Sequence, residues 1–268
     1  MKRVYIISLC VLVLISVPAV VWYLQPDREC RMAIIDKTVP DETYREHNGI
    51  VLLLNHLKYK KQSGALYDVR EDYFGFSPNE KDKSYVLKPL PTNYDDYDVI
   101  YLADSYGVYE EDLPWIAKDR EGSRSRKVYG GLEKEEWLHI LNRLVKKEKS
   151  LFIAEYNAFA TPTEKEVGES IANYLGVHWS GWTGRYFDEL DFNKNREIPQ
   201  WIIAEFGESW NYSGQGFVLV NDADFQVLVL EMSKHVLDKG IHLSFTREGE
   251  AFFGLQKSPH YSYWFDII

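Results

Sequence analysis

Tyr97-Asp98-Val99-Ile100-Tyr101-Leu102-Ala103-Asp104-Ser105-Tyr106-Gly107 is the stretch on which the reading of the fold turns. Residues 99–103 are all apolar or aromatic, and they close on a carboxylate and then on Ser-Tyr-Gly. So short a run without polar alternation predicts a strand covered on both faces. Two other runs share its form. Residues 32–36 lead into Asp36-Lys37-Thr38, and residues 151–154 lead into Glu155-Tyr156-Asn157.

Between these runs the apolar period changes from that of a strand to that of a helix. Ile50, Leu53, Leu54 and Leu57 share one helical face, and Trp137, Ile140, Leu141 and Leu144 mark a second amphipathic helix over residues 133–147. Thr163 followed by Glu166 has capping-box spacing and opens a third helix, which runs to Leu175 and stops at Gly176. Residues 85–87 read as a minor strand. In the C-terminal third, residues 217–220 and 227–231 flank the turn Asn221-Asp222-Ala223-Asp224, and residues 241–245 and 251–255 form a second hairpin-like pair. The expected architecture is α/β: a mostly parallel, doubly wound sheet that ends in antiparallel C-terminal strands.

Ahead of this domain, residues 4–24 carry no charge. About 20 such residues span the hydrocarbon core of a bilayer as a helix. The expectation is one transmembrane signal-anchor helix, with residues 1–30 as cytoplasmic tip, anchor and short linker, and residues 31–268 as one extracytoplasmic domain. Lys2 and Arg3 precede the run and keep the N-terminus in the cytoplasm of a single-pass protein of the cell membrane. Trp22 and Tyr23 fall where an interfacial aromatic belt sits. The alternative is a cleaved signal peptide, for which Val17-Pro18-Ala19 is a poor site.

The net charge is −10, and leaving out Lys2 and Arg3 makes it more negative still. Such a chain repels phosphate backbones, which argues against nucleic acid as a partner and favours a neutral or cationic ligand. The two cysteines are Cys10 in the apolar run and Cys30 just after it, so residues 31–268 hold neither a disulfide nor a thiol nucleophile. Cys30 is either a link to a second chain or a free thiol. The seven histidines have no metal-ligand spacing, and no metal or cofactor is implied.

In parallel sheets, ligands bind beyond the carboxyl ends of the strands. Asp36, Asp104 and Glu155 end three strands and are the candidate catalytic residues, as general acid and base. The plain alternative is that acidic residues simply close strands and cap helices. Lys37, Ser105, Tyr106 and Asn157 follow on the same loops as candidate ligand-binding residues. Ser105 is also weighed as a nucleophile, but it lacks the first glycine of a hydrolase elbow and a placed histidine base. Arg124 and Arg126, ahead of Gly130-Gly131, are candidates for an anionic group at a helix N-terminus, or are ordinary solvated charges. Trp182 and Arg185 lie in Trp179-Ser180-Gly181-Trp182-Thr183-Gly184-Arg185-Tyr186-Phe187, where aromatic rings either stack on a sugar or fill a core edge.

On Ala33-Ile34-Ile35-Asp36, on Tyr97 through Asp104 and on Leu151-Phe152-Ile153-Ala154-Glu155, the layout resembles the class I glutamine amidotransferase-like superfamily, a flavodoxin-like α/β group. The resemblance covers residues 31–175. Members of that group carry a cysteine nucleophile with His and Glu partners. No position in residues 31–268 matches that cysteine, so glutaminase activity does not carry over. The chain is also similar to membrane-anchored bacterial proteins with such a domain, some associated with envelope polysaccharide systems, which implies a cell-envelope setting. Three functions stay open: binding of a glycan or other envelope ligand at the strand-end cleft, carboxylate-dependent hydrolysis of envelope polysaccharide, and a non-catalytic scaffold that contacts partner proteins of a membrane complex.

Overall fold

The computed structural model of the chain describes residues 2–117, 125–146, 149–155, 157–207, 209–236, 241–242, 244–254 and 260–261. It is an α/β protein with two principal sheets. The central one is built from β1 (Met32–Asp36), β2 (Phe74–Asn79), β3 (Ser84–Lys88), β4 (Val99–Asp104) and β5 (Leu151–Ala154), in the spatial order β3-β2-β1-β4-β5. Neighbours β2, β1, β4 and β5 run parallel, and β3 runs antiparallel to β2 at one edge.

Helices cover both faces of this sheet. Helix α2 (Arg45–His56) sends Val51 and Leu54 onto Ile34 and Tyr101. Helices α3 (Lys134–Leu144) and α4 (Lys165–Leu175) bring Trp137, Ile140, Val167 and Ile171 against Ala33, Ile35, Ile100 and Leu102 on the other face. Alternate residues of β1 and β4 thus enter opposite cores, which is why both strands are apolar without a break. Each fully buried aliphatic side chain contributes about 1.5–3 kcal/mol, so the central strands are the most strongly specified part of the chain.

A second sheet stands apart, formed by β6 (Trp182–Phe187), β7 (Gly216–Asn221) and β8 (Val227–Glu231) in sequential antiparallel order. With α5 (Gln200–Phe206) it encloses its own core of Phe187, Leu190, Ile198, Ile202, Val218 and Val229. This corrects the expected single, mostly parallel, doubly wound sheet with antiparallel strands at its C-terminal end. The β7–β8 hairpin finds its third strand in Trp182–Phe187 and its own apolar partners, so it has no need of the central sheet. The fold class is α/β with mixed sheets.

Two local expectations also change. Residues 251–253 belong to a helix, Arg247–Phe253, not to a hairpin strand. Thr246 caps it by accepting from the Gly249 N–H, and Glu248 and Glu250 in the first turn suit the positive end of the helix dipole. Ile241–His242 instead pairs with His260–Tyr261, and Leu255 lies outside the described residues. The N-cap of α4 is Glu164, one residue later than expected, because the Thr163 hydroxyl is used elsewhere.

The chain opens with helix α1 (Lys2–Leu24). Among the described residues no helix is long and apolar enough to cross a membrane. This overturns the transmembrane anchor over residues 4–24, and with it the membrane location, the single-pass topology and the extracytoplasmic placement derived from it. The end of α1 is held by the turn after α2. Trp22 Nε1 donates to His56 O (2.5 Å), and Lys58 Nζ donates to Tyr23 O (2.7 Å) and Gln25 O (2.8 Å). Trp22 and Tyr23 thus serve a contact within the chain.

Candidate functional site

The carboxyl ends of β1 and β4 lie side by side, with Asp36 and Asp104 as register partners after a bulge between Ile35 and Asp36. Backbone approaches there are very close. Gly75 of β2 has φ +137°, and a Cβ on it would stand 1.8 Å from Asp36 O. Gly107 has φ +96°, and a Cβ there would stand 2.1 Å from Tyr129 O. Only glycine permits either contact.

Asp36 is wholly buried and turned toward α2. Its Oδ2 lies 2.6 Å from His47 Nδ1, and its Oδ1 accepts the Thr38 N–H at 2.9 Å. The other ring nitrogen, His47 Nε2, lies 2.8 Å from Val69 O. A carbonyl can only accept, so Nε2 carries a proton, and a further proton sits between Nδ1 and Asp36. Tyr73 stacks on the imidazole at 4.4 Å, and the Tyr44 ring meets it edge-on at 5.8 Å. Asp36 is therefore an internal group bound to its neighbours.

Asp104 is also buried, 5 % exposed, and is held by three hydrogen bonds. Its Oδ1 accepts from the Tyr106 N–H (2.6 Å) and the Thr38 hydroxyl (2.7 Å), while its Oδ2 accepts one long bond from Asn157 Nδ2 (3.2 Å). Each carboxylate oxygen has two lone pairs, so Oδ2 keeps acceptor capacity. Burial pushes this carboxyl up to about 6, and the charge of Glu46 adds to the rise, while the three hydrogen bonds oppose it. Tyr106 is 42 % exposed and lies against Tyr109, with ring centres 5.0 Å apart.

Lys37 is buried in the opposite direction. Its Nζ donates to Gly131 O (2.8 Å) and to Glu136 Oε2 (2.5 Å) and lies 4.9 Å from the Tyr129 ring centre. Burial pushes its ammonium down, and the Glu136 carboxylate partly restores it. The Ser105 hydroxyl donates to Asn157 O (2.7 Å) and meets Thr163 Oγ1 at 3.2 Å, so it ties loops together within the core. Glu155 is exposed at the end of β5 and accepts from the Tyr101 hydroxyl (2.7 Å). Asn157 takes φ +64°, a conformation that asparagine tolerates better than most residues.

The remaining candidates lie elsewhere. Arg126 is exposed and its guanidinium pairs with Glu110 (Nε to Oε1, 2.9 Å), so it is not directed at a helix N-terminus. Arg124 lies outside the described residues. At the start of α3 a shallow cavity of about 310 Å³ is lined by Lys127, Gly130, Gly131, Lys134 and Pro162, but also by Glu133, Glu135 and Glu164. Trp182 and Arg185 are on β6 of the second sheet. Trp182 is opposite Asn221, and Arg185 pairs with Glu197 (2.9 Å). The second sheet meets the strand-end loops through Asp222, which accepts from the Thr161 hydroxyl (2.8 Å). Among the described residues no cluster of His, Cys, Asp or Glu could hold a metal ion.

Two residues of this network were not singled out in the sequence. Thr38 had a usable signal, because Asp-x-Thr after a strand favours a turn in which the carboxylate takes the N–H two residues on. His47 had none. Compared with protein-family models, with curated proteins and with solved structures, the chain finds no match.

Proposed function

We propose that the chain is a non-catalytic binding protein that takes a polyhydroxylated ligand, a glycan, at the ends of β4 and β5. One observation carries this reading: Asp104 Oδ2 keeps acceptor capacity on a firmly held carboxyl beside the exposed Tyr106 ring. A carboxylate oxygen and an amide accept and donate to vicinal hydroxyls, and an aromatic face stacks on the sugar ring. Asn157, Glu155 and the Tyr106–Tyr109 pair complete the rim. With a net charge of −10, the ligand is neutral or cationic and not a polyanion. The amidotransferase-like layout is part of this proposal as a scaffold without its nucleophile.

The test is calorimetric titration of the purified chain with neutral oligosaccharides and amino sugars. Binding that is lost in Tyr106→Ala and in Asp104→Asn, with unchanged circular dichroism, supports the reading. Undiminished binding in both variants refutes it.

Hydrolysis is the second reading, favoured by the Asp104 carboxyl at about 6, within the range of a general acid. Release of reducing ends from the same oligosaccharides, abolished in Asp104→Asn, would replace binding by catalysis.

A further inference from the structure

The binding reading leaves open what holds Asp104 in place. A continuous chain of hydrogen bonds runs to it from α2. Val69 O anchors His47 Nε2, His47 Nδ1 meets Asp36 Oδ2, Asp36 Oδ1 takes the Thr38 N–H, and the Thr38 hydroxyl donates to Asp104 Oδ1. The Thr38 oxygen also accepts the Gly107 N–H at 2.7 Å. Its single proton must therefore point at Asp104, because the lone pairs are what face Gly107. The orientation of that hydroxyl is set by the backbone on both sides of the site.

We infer that Thr38, locked by the buried Asp36–His47 pair, is the positioning residue of the site: with the Tyr106 N–H it occupies Asp104 Oδ1, so that Oδ2, which carries only the long bond from Asn157, is the oxygen turned to the ligand. This rests on the reading of Asp104 as the ligand anchor for its consequence, but the relay itself is geometric. The groups around Asp104 come from every element packed on it. Arg45 and Glu46 of α2 both act on it electrostatically, Tyr106 follows it in the chain, and Asp36 and Glu155 both reach Tyr101 on the same strand. Of these contacts, the Thr38 hydroxyl is the largest that favours the charged carboxylate, ahead of the Tyr106 N–H and Asn157.

The experiment is a ¹³C titration of the Asp104 carboxyl in the full chain, with Asp104→Asn to assign the signal. It needs no ligand, so a failure of glycan binding does not obscure its outcome. The wild type should titrate near 6. Thr38→Val should raise the midpoint by about one pH unit, since the hydroxyl that favours the charged form is gone. Thr38→Ser should restore it. An unmoved midpoint in folded Thr38→Val, or a Ser variant that behaves like Val, overturns the inference. Should Thr38→Val fail to fold, the wild-type Gly107 amide decides. Its shift must follow the Asp104 midpoint through the Thr38 oxygen, and a flat Gly107 response overturns the inference equally.

Discussion

Asp36 Oδ2 and His47 Nδ1 lie 2.6 Å apart with both side chains wholly buried. The pair joins the end of β1 to α2 and leaves no exposed atom on either partner. A carboxylate and an imidazole so enclosed are each other's solvent, and the removal of one strands the other.

Asp36→Ala is therefore expected to destabilise the chain by about 1–3 kcal/mol, the cost of a buried polar partner left unsatisfied. Urea denaturation measures it. His47→Leu on the Asp36→Ala background should recover part of that loss, because the stranded imidazole is removed. An Asp36→Ala cost below about 1 kcal/mol would contradict the description of the pair as structural.

Asp104 imposes a pH dependence of definite sign. Its folded carboxyl is held at about 6, above the ordinary value of 3.8, so the folded state binds the proton more tightly than the unfolded state does. The stability it contributes is complete below about pH 4 and is lost as pH rises through about 6, by roughly 3 kcal/mol in all. Thermal unfolding of wild type and Asp104→Asn across pH 4–7 should show this slope in the former and its absence in the latter.

Two glycines with positive φ should respond very differently to alanine. Gly176 ends α4 at φ +70° with nothing within 4 Å of a Cβ, so Gly176→Ala should cost about 1 kcal/mol. Gly75→Ala drives a methyl into Asp36 O and should cost more than about 4 kcal/mol or prevent folding. Denaturant midpoints of the two variants compare the effects directly.

Trp182 and Arg185 belong to the second sheet, where Trp182 lies opposite Asn221 and Arg185 pairs with Glu197. Trp182→Ala and Arg185→Ala should leave oligosaccharide affinity within about twofold of wild type, whereas Tyr106→Ala should lower it by more than tenfold, the loss of roughly 1.4 kcal/mol or more. Calorimetry with one ligand across the three variants separates them.

Much of the central sheet was legible because its strands are buried on both faces. Unbroken apolar runs such as Met32–Asp36 and Val99–Asp104 have few other ways to satisfy their side chains. Strand β2 escaped notice because Phe74-Gly75-Phe76-Ser77-Pro78-Asn79 contains two residues that weaken strands. Pairing with β1 ends at Gly75, so Pro78 has a strand neighbour on one side only, and Gly75 is there for the close approach of Asp36. For strand β6 the sequence leaves stacking on a sugar and filling a core edge equally open. Its alternation became evident only against the partner strand β7. The apolar run at the N-terminus carried the strongest local signal and led to the largest correction.

By itself, the sequence determined the alternation of strands and helices around residues 31–175, the strand-end position of Asp36, Asp104 and Glu155, and the absence of a thiol nucleophile there. These follow from local periodicity and residue identity. Tertiary structure decided what holds each of those carboxylates. Asp36 found a histidine eleven residues away on a helix, Glu155 found the Tyr101 hydroxyl, and Asp104 found the Thr38 hydroxyl, the Tyr106 N–H and the Asn157 amide. Tertiary structure also decided that the C-terminal hairpin would close a sheet of its own. Hydrogen-bond partners and strand neighbours are set by which faces meet in space, and neither the spacing of residues nor their chemistry specifies that in advance.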